Sequence, residues 1–409
     1  MSWPANTPSV ESLAEKRARW RAEFGDADVA AGIEVSADFE PFVQRNDLFT
    51  RAFWDPTVRN KDTDGFFASY RIEAAARRGD GFSHKDFALR NASWLISDII
   101  SSRGEDAGER EGFQAPIRND TPVGPERLEV ENPVEFTAEL KQIAKLFGAD
   151  LIGVTEYDDR WVYASRVDTR DFSAADNSLP DDISHVIVMG HAMDQDLVRT
   201  YPSALAGAAT GREYSHEAAI VIQVAAYLRN LGYEAIASMN DTGLVIPYAI
   251  KAGLGEYARN QMVITPEFGP RVRFSKIFTN APLHNDAPRQ LGVRAYCDDC
   301  TICADACPPK ALPYGPPAFR AHISTIRGVK KWSADCEKCF GYWAKLKSDC
   351  AICMRVCPFN RDFSKWTSRL FWRVATSQWR GLARRWVRWR GIADRLKPRE
   401  WWRRLTQPS

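Results

Sequence analysis

The nine cysteines of this 409-residue chain all fall between Cys297 and Cys357, and their spacing is what first suggests chemistry. The run Cys297-x2-Cys300-x2-Cys303-x3-Cys307-Pro308 has the spacing in which three thiolates grip one [4Fe–4S] cluster and the fourth reaches over to a second. A second run answers it, Cys339-x10-Cys350-x2-Cys353-x3-Cys357-Pro358. The crossed arrangement assigns Cys297, Cys300, Cys303 and Cys357 to one cluster, and Cys307, Cys339, Cys350 and Cys353 to the other. The stretch DCEKC offers both Cys336 and Cys339 as the eighth ligand; Cys339 is the assignment adopted and Cys336 the alternative. Zinc ribbons also use Cys-x2-Cys, but as two separated pairs rather than two triplets each closed by Cys-Pro. Cysteines confined to one segment are not a secreted disulfide framework.

The elements that must position such a centre are read from periodicity. VEFTAELKQIAKLFG (134–148) has apolar residues at helical spacing, DLIGVTEYD (150–158) and HVIVMGHAM (185–193) read as strands, and TGREYSHEAAIVIQVAAYLRNLG (210–232) as a helix. That helix is expected to open on a capping box, Thr210 to Glu213, and to exit at Gly232. YEAIASMND then reads as a strand, PYAIKAGLGEYARN as a helix and QMVITPEFG as a short strand. The alternation implies a layered α/β domain with ligands near the carboxyl ends of strands. Before residue 135 the chain is mixed and polar: SSRGEDAGEREG (101–112) reads as an exposed loop, and the aromatics of FWDPTV and DGFFASY as anchors of a layer against a core. Hydrophobic residues make up 44% and charged residues 26%, the balance of a soluble globular protein of two or three domains. The most apolar run, AAIVIQVAAYL (218–228), is about half the ~20 residues of a membrane span. Arg17 and Arg19 are separated by Ala18 with no apolar run behind them, so no export signal is read and a cytoplasmic location is expected.

The series REYSHEAA, LRNLGYEAIASMNDTGLVIPYAIKAGLGEYARNQMVITPEFGPRVRFSKIFTNAPL, the two cysteine runs and the EKCFGYW context of Cys339 resembles the reductive dehalogenases, cobalamin-dependent enzymes that remove halide from organohalides, over about residues 136 to 360. The resemblance implies a nitroreductase-like α/β core that binds cobalamin with its lower base detached, and an inserted or appended ferredoxin-type double [4Fe–4S] domain that relays electrons to it. No Asp-x-His-x-x-Gly run is present to supply a lower histidine ligand. The implied division is a variable region at 1–134, the catalytic domain at 135–295, the double-cluster domain at 296–360 and a tail at 361–409. Tyr214 matches the tyrosine that protonates the carbon losing halide, with Asn240, Arg273 and Lys276 as the rest of the site. A phenol of pKa about 10 suits that role only if its anion is stabilised. Tyr214 is expected at the amino end of its helix, where the dipole would help, with Arg273 and Lys276 adding positive charge if folding brings them close. Taken alone each has a plainer reading: a packing tyrosine, an Asn-Asp turn, one side of a strand. His191 and His216 read as hydrogen-bonded or solvent-facing residues.

The implied substrate is a halogenated phenol or hydroxybenzoate, and the implied electron source a separate ferredoxin, flavodoxin or reductase. Two other readings stand beside this one. Epoxyqueuosine reductase, a related cobalamin enzyme of tRNA modification, uses an aspartate where this chain has a tyrosine; a degenerate corrinoid domain would leave an electron-transfer iron–sulfur protein. The tail is a separate compositional unit. From Arg361 onward 14 Lys and Arg face 3 Asp and Glu, a net +11 in a chain of +2 that leaves −9 for the rest. Trp372, Trp379 and Trp386 recur every seven residues, with Leu382 and Trp389 on an adjacent row, an amphipathic stripe that could lie peripherally on the inner membrane face, dock a partner or cover the body of the protein. No nucleic-acid reading surface accompanies it.

Overall fold

The computed structural model describes residues 11–70, 79–101, 114–117, 121–391 and 395–406; apart from Ser101, the loop expected at 101–112 lies outside them. At its centre is a four-stranded sheet in the order Leu151–Glu156, His185–Ala192, Val272–Thr279, Ala235–Ser238, and every pairing in it is antiparallel. The rule that ligands gather at the carboxyl ends of parallel strands therefore does not apply, because those ends alternate between the two ends of the sheet. His185–Ala192 and Val272–Thr279 are the inner strands. Val186, Ile187, Val188 and Met189 are fully buried, the near-continuous apolar run of a strand covered on both faces.

Two layers cover the sheet. On one face lies the long helix Ala204–Asn230, with Tyr214, Ala218, Val221, Ala225 and Leu228 in a cluster with Val154, Ile187, Met189 and Ile277. On the other face the helices Leu13–Ala31 and Val245–Lys251 pack Trp20, Phe24, Tyr248 and Ala249 against Val186, Val188, Phe274 and Phe278. Phe66, Phe67 and Tyr70 are core residues of the first layer, as the aromatic spacing suggested. The strand Val35–Glu40 pairs with Arg327–Val329, which ties the start of the described chain to the cysteine-bearing segment.

The long helix starts earlier than its sequence suggested. Ser203, not Thr210, caps it, the Ser203 hydroxyl accepting from the Ala206 amide at 3.0 Å, while the Thr210 hydroxyl is engaged by the Tyr201 hydroxyl at 2.8 Å. The alanine-rich stretch 204–209 is helical in its own right, so Tyr214 lies three turns inside. The exit at Gly232 is as expected, with φ at 84°. PYAIKAGLGEYARN is a helix only to Lys251; Gly253 then turns at φ 71°, and Glu256–Tyr257 pairs with Val263–Ile264.

The tail is also different from one continuous stripe. It forms the helices Trp366–Ala375 and Arg380–Arg390, broken between them, and a third at Pro398–Leu405. The break sends Trp372 inward against Phe359 (ring centroids 5.2 Å) and leaves Trp379 61% exposed. Phe371, Ala375, Ala383 and Val387 are buried in one cluster with Tyr296, Cys297, Cys300 and Phe359. The third helix docks on the body, Trp402 donating to Asp86 at 2.8 Å and Arg404 pairing with Asp196 at 2.9 Å.

A buried ionic group joins the layer of Leu13–Ala31 to the sheet. Arg160 bridges Asp28 at 2.6 and 2.8 Å and Asp158 at 2.6 Å, and Lys251 reaches Asp158 at 2.8 Å. Burial alone would raise the Asp158 carboxyl, but Arg160 and Lys251 hold it below the usual carboxylate range. A depressed folded-state pKa stabilises the protein fully above the unfolded value and is lost as pH falls through the folded one. Asp158→Asn is expected to cost about 3–5 kcal/mol at neutral pH, the loss typical of one partner removed from a buried pair, and to flatten the fall in stability below about pH 4. Urea unfolding of both proteins across pH measures it.

Candidate active site

Strand alternation decides which cation meets Tyr214. Arg273 and Lys276 are three residues apart on one strand, so their side chains leave it on opposite faces. Arg273 shares its face with Ile277 and the long helix, and its guanidinium lies 3.9 Å from the centroid of the Tyr214 ring. Lys276 faces the other way, and its Nζ donates to the carbonyls of Met239 at 2.7 Å and Asp241 at 3.1 Å. Those carbonyls flank Asn240, whose Nδ2 donates to the Tyr214 hydroxyl oxygen at 2.6 Å. Asn240 is fixed a second time by Tyr163, which donates to its carbonyl at 3.1 Å. Tyr214, Asn240 and Arg273 thus meet directly, and Lys276 reaches them through the Asn240 loop.

Lys276 is fully buried and Arg273 partly buried at the cavity wall, and burial pushes Arg273 down to about 10 and Lys276 down to about 8. A cation over the ring and a donor on the oxygen each favour the phenolate over the phenol. These two contacts supply the stabilisation that the helix dipole cannot, since the dipole acts within the first turn. The Trp94 indole stacks on the opposite side of the phenol, with centroids 4.6 Å apart and planes 26° apart. Gly207 and Gly211 let the helix His84–Ser93 come close enough for this. A Cβ at 207 would meet Arg90, and one at 211 would run into the Trp94 indole. Glycines at i and i+4 inside a helical pattern signal such an approach, and that signal could have pointed to the segment carrying Trp94.

The histidines stay outside the constellation. His191 is opposite Arg273 in the sheet register, fully buried, 3.0 Å from the Ser275 hydroxyl, and brought down to about 3 by burial. His216 is partly exposed, 3.7 Å from Glu213. Burial raises Glu213 to about 7 and Glu217 well above its usual value.

The cysteines gather in two groups. Burial is the main cause of the raised thiol pKa values of Cys357 and Cys339; beyond it, the charges acting on Cys357 are those of Cys297, Cys303 and Cys300, and those acting on Cys339 are led by Cys350 and Cys307. Cys353 feels Cys339, Cys303, Cys350 and Cys307, so Cys303 lies between the groups. Cys336 turns toward His322, Sγ to Nδ1 3.8 Å. Thiols this buried ionise only with compensating positive charge, which bound iron would supply. The loop of the first run is held by Arg259, 1% exposed, whose guanidinium donates to the carbonyls of Cys297, Asp298, Cys300, Pro313 and Gly315 at 2.8 to 3.1 Å. No spacing rule pointed to Arg259.

A cavity of about 1150 Å³ runs between these two centres. Tyr214, Asn240, Arg273 and Tyr163 line it, and so do Cys307, Cys339, Cys350 and Cys353. Pockets for drug-sized ligands are commonly ~300–1,000 Å³, so this one has room for a larger group or for two molecules together.

Residues 162–283 match the family profile of a reductive dehalogenase subunit, and residues 296–360 that of a 4Fe-4S double cluster binding domain. The chain is 35% identical over 268 residues to a tetrachloroethene reductive dehalogenase of Sulfurospirillum multivorans, covering 59% of this chain and 54% of that protein. To one of Desulfitobacterium hafniense it is 33% identical over 311 residues, covering 66% and 56%. The chain therefore spans about half the length of these curated relatives. An epoxyqueuosine reductase of Bacillus subtilis is 34% identical over 131 residues, covering 30% of this chain and 31% of that one. A solved reductive dehalogenase, the subject of a proposed B12-dependent mechanism, superposes with a TM-score of 0.65 at 20% identity, covering 86% of this chain and 46% of that chain. At that identity the match carries the fold.

Arg259→Met is expected to leave the five carbonyls without their donor, at about 1–3 kcal/mol for each buried group left unpaired, and to reduce the iron retained per chain on anaerobic gel filtration. Wild-type iron content in the variant would show that the loop holds without it.

Proposed function

On the premise that the chain is a relative of the reductive dehalogenases, we propose that it replaces the halogen of an organohalide by hydrogen, consuming two electrons and one proton and releasing halide. The observation that carries this is the Tyr214 site: a phenol with an arginine over its ring and an amide on its oxygen, open to a cavity that reaches the cysteines. Cobalamin bound in that cavity would supply the reducing chemistry at the carbon–halogen bond. The size of the cavity fits a corrinoid with a substrate beside it. Two [4Fe–4S] clusters would be held by Cys297, Cys300, Cys303 and Cys357 and by Cys307, Cys339, Cys350 and Cys353, a division supported by the thiols that act on one another. Cys339 rather than Cys336 is the eighth ligand, since Cys336 turns to His322.

The protein's own part is proton delivery and exclusion of water. Tyr214, 5% exposed, gives its proton to the carbon as halide departs, and the tyrosinate is met by the Arg273 charge and the Asn240 amide. Lys276 is a positioning residue, holding the Met239–Asp241 carbonyls that aim Asn240. Trp94 keeps the ring from tilting away. The substrate class we propose is a halogenated phenol or hydroxybenzoate, supported by the aromatic wall of Phe42, Phe49, Trp161 and Tyr163; the named relatives act on a chlorinated ethene.

Anaerobic halide release by the cobalamin-reconstituted protein, with a chemical reductant and a panel of bromophenols, chlorophenols, hydroxybenzoates and tetrachloroethene, tests the proposal. Tyr214→Phe is expected to lower turnover by about 10²–10⁴, the usual contribution of a positioned acid, with cobalt and iron content unchanged. Full turnover in that variant would refute the acid assignment, and release from tetrachloroethene alone would replace the phenolic class.

A further inference from the structure

The tail turns a built inner face toward the first cysteine group and leaves a built outer face to solvent. Inward, Phe371, Ala375, Ala383 and Val387 lie in one buried cluster with Cys297 and Cys300, and Arg384 pairs with Asp299 at 3.0 Å. Outward, the helix Arg380–Arg390 presents Leu382 at 56% exposure and Trp389 at 84%, with Trp379 just before it at 61%. Among them runs a shallow concavity of about 410 Å³ lined by Trp379, Leu382, Arg384, Arg385 and Arg388. Single exposed apolar residues are ordinary; several large ones together mark an interaction surface.

Composition says what kind of partner fits. Of the 14 basic residues from Arg361 onward, 12 are arginine and 2 are lysine. Trp and Arg enriched with Lys depleted is the signature of a protein interface and its hot spots, whereas attraction to anionic lipid uses either cation. A positive face calls for an acidic partner. A partner seated there is separated from the first cysteine group by about one helix, ~10 Å across.

We propose that the outer face of Arg380–Arg390, with Trp379, docks a small acidic one-electron donor protein that reduces the cluster of Cys297, Cys300, Cys303 and Cys357. The proposal rests on the cluster assignment above. In each encounter the reduced donor loses one electron and the cluster gains it, no covalent bond changes, and two such transfers accompany each halide released.

The test uses the full-length reconstituted protein and an acidic flavodoxin hydroquinone as probe, following flavodoxin semiquinone in stopped flow, with photoreduced deazariboflavin as a small uncharged reductant that needs no docking. Arg385→Glu with Arg388→Glu, and separately Trp389→Ala, alter exposed side chains. Each is expected to slow flavodoxin oxidation at least about tenfold at low salt, the double variant abolishing its salt dependence, while deazariboflavin reduces the clusters at the wild-type rate. Unchanged flavodoxin rates overturn the proposal. So does co-sedimentation with phosphatidylserine vesicles that these variants lose while their flavodoxin rates stay unchanged; the face would then be a membrane contact. Halide release driven by deazariboflavin is scored apart: if it fails while the flavodoxin rates still depend on the tail, the docking surface stands and the reaction assignment falls.

Discussion

Two cations on the inner strand Val272–Thr279, Lys276 buried and Arg273 at the cavity wall, set the terms for the rest of the site. A charge inside an apolar sheet is costly unless it finds partners there, and each cation recruits a different set. Arg273 finds the face of Tyr214. Lys276, on the other side of the strand, finds the two carbonyls around Asn240, and through them it fixes the amide that meets the Tyr214 oxygen. The turn that makes this possible places Thr242 at φ 65°, while the Asp241 carboxylate accepts from the Met239 amide at 2.8 Å and from the Thr242 hydroxyl at 2.7 Å. Satisfying the cations and building the tyrosine site are one structural problem with one solution.

The cysteine domain is placed by the same economy of backbone contacts. Arg259 holds its first loop through carbonyls alone, so it constrains the chain that carries Cys297 and Cys300 without competing for their sulfurs. Gly269, at φ 60°, lets the domain come closer still, since a Cβ there would collide with the Phe359 carbonyl. The second cysteine group lines the same cavity as Tyr214. A redox centre and a proton donor can act on one substrate only when they share such a space.

What could be read from the sequence follows sequence separation. The cysteine runs carry their spacing locally, and the motif series around Tyr214, Asn240 and Arg273 named residues that do meet. Each helix or strand with a strong period is present in the fold. The site geometry depends instead on distant pairings. Trp94 stacks on a tyrosine 120 positions away, and the strand order, with Val272–Thr279 inserted between His185–Ala192 and Ala235–Ser238, is invisible to periodicity. The helix starts before its apparent cap for a local reason: Thr210 and Glu213 make a plausible cap, but Ser203 offers one earlier and the alanines between them favour continuing the helix. That difference removes the dipole from Tyr214 and leaves the arginine and the amide to stabilise its anion.

The tail shows how one break redistributes a pattern. A tryptophan every seven residues describes one face only while the helix is continuous. The turn between Ala375 and Arg380 sends Trp372 to Phe359 and Phe363, into the packing around the first cysteine group, and Trp386 to Phe371 and the Arg361 guanidinium at the margin of that packing. Trp379, at the hinge, is released to solvent with Leu382 and Trp389. An uninterrupted helix would have put all three tryptophans either inside or outside. The break lets the same 25 residues (366–390) seal the cysteines on one side and present tryptophan and arginine on the other, so cover and contact surface are two faces of one short segment.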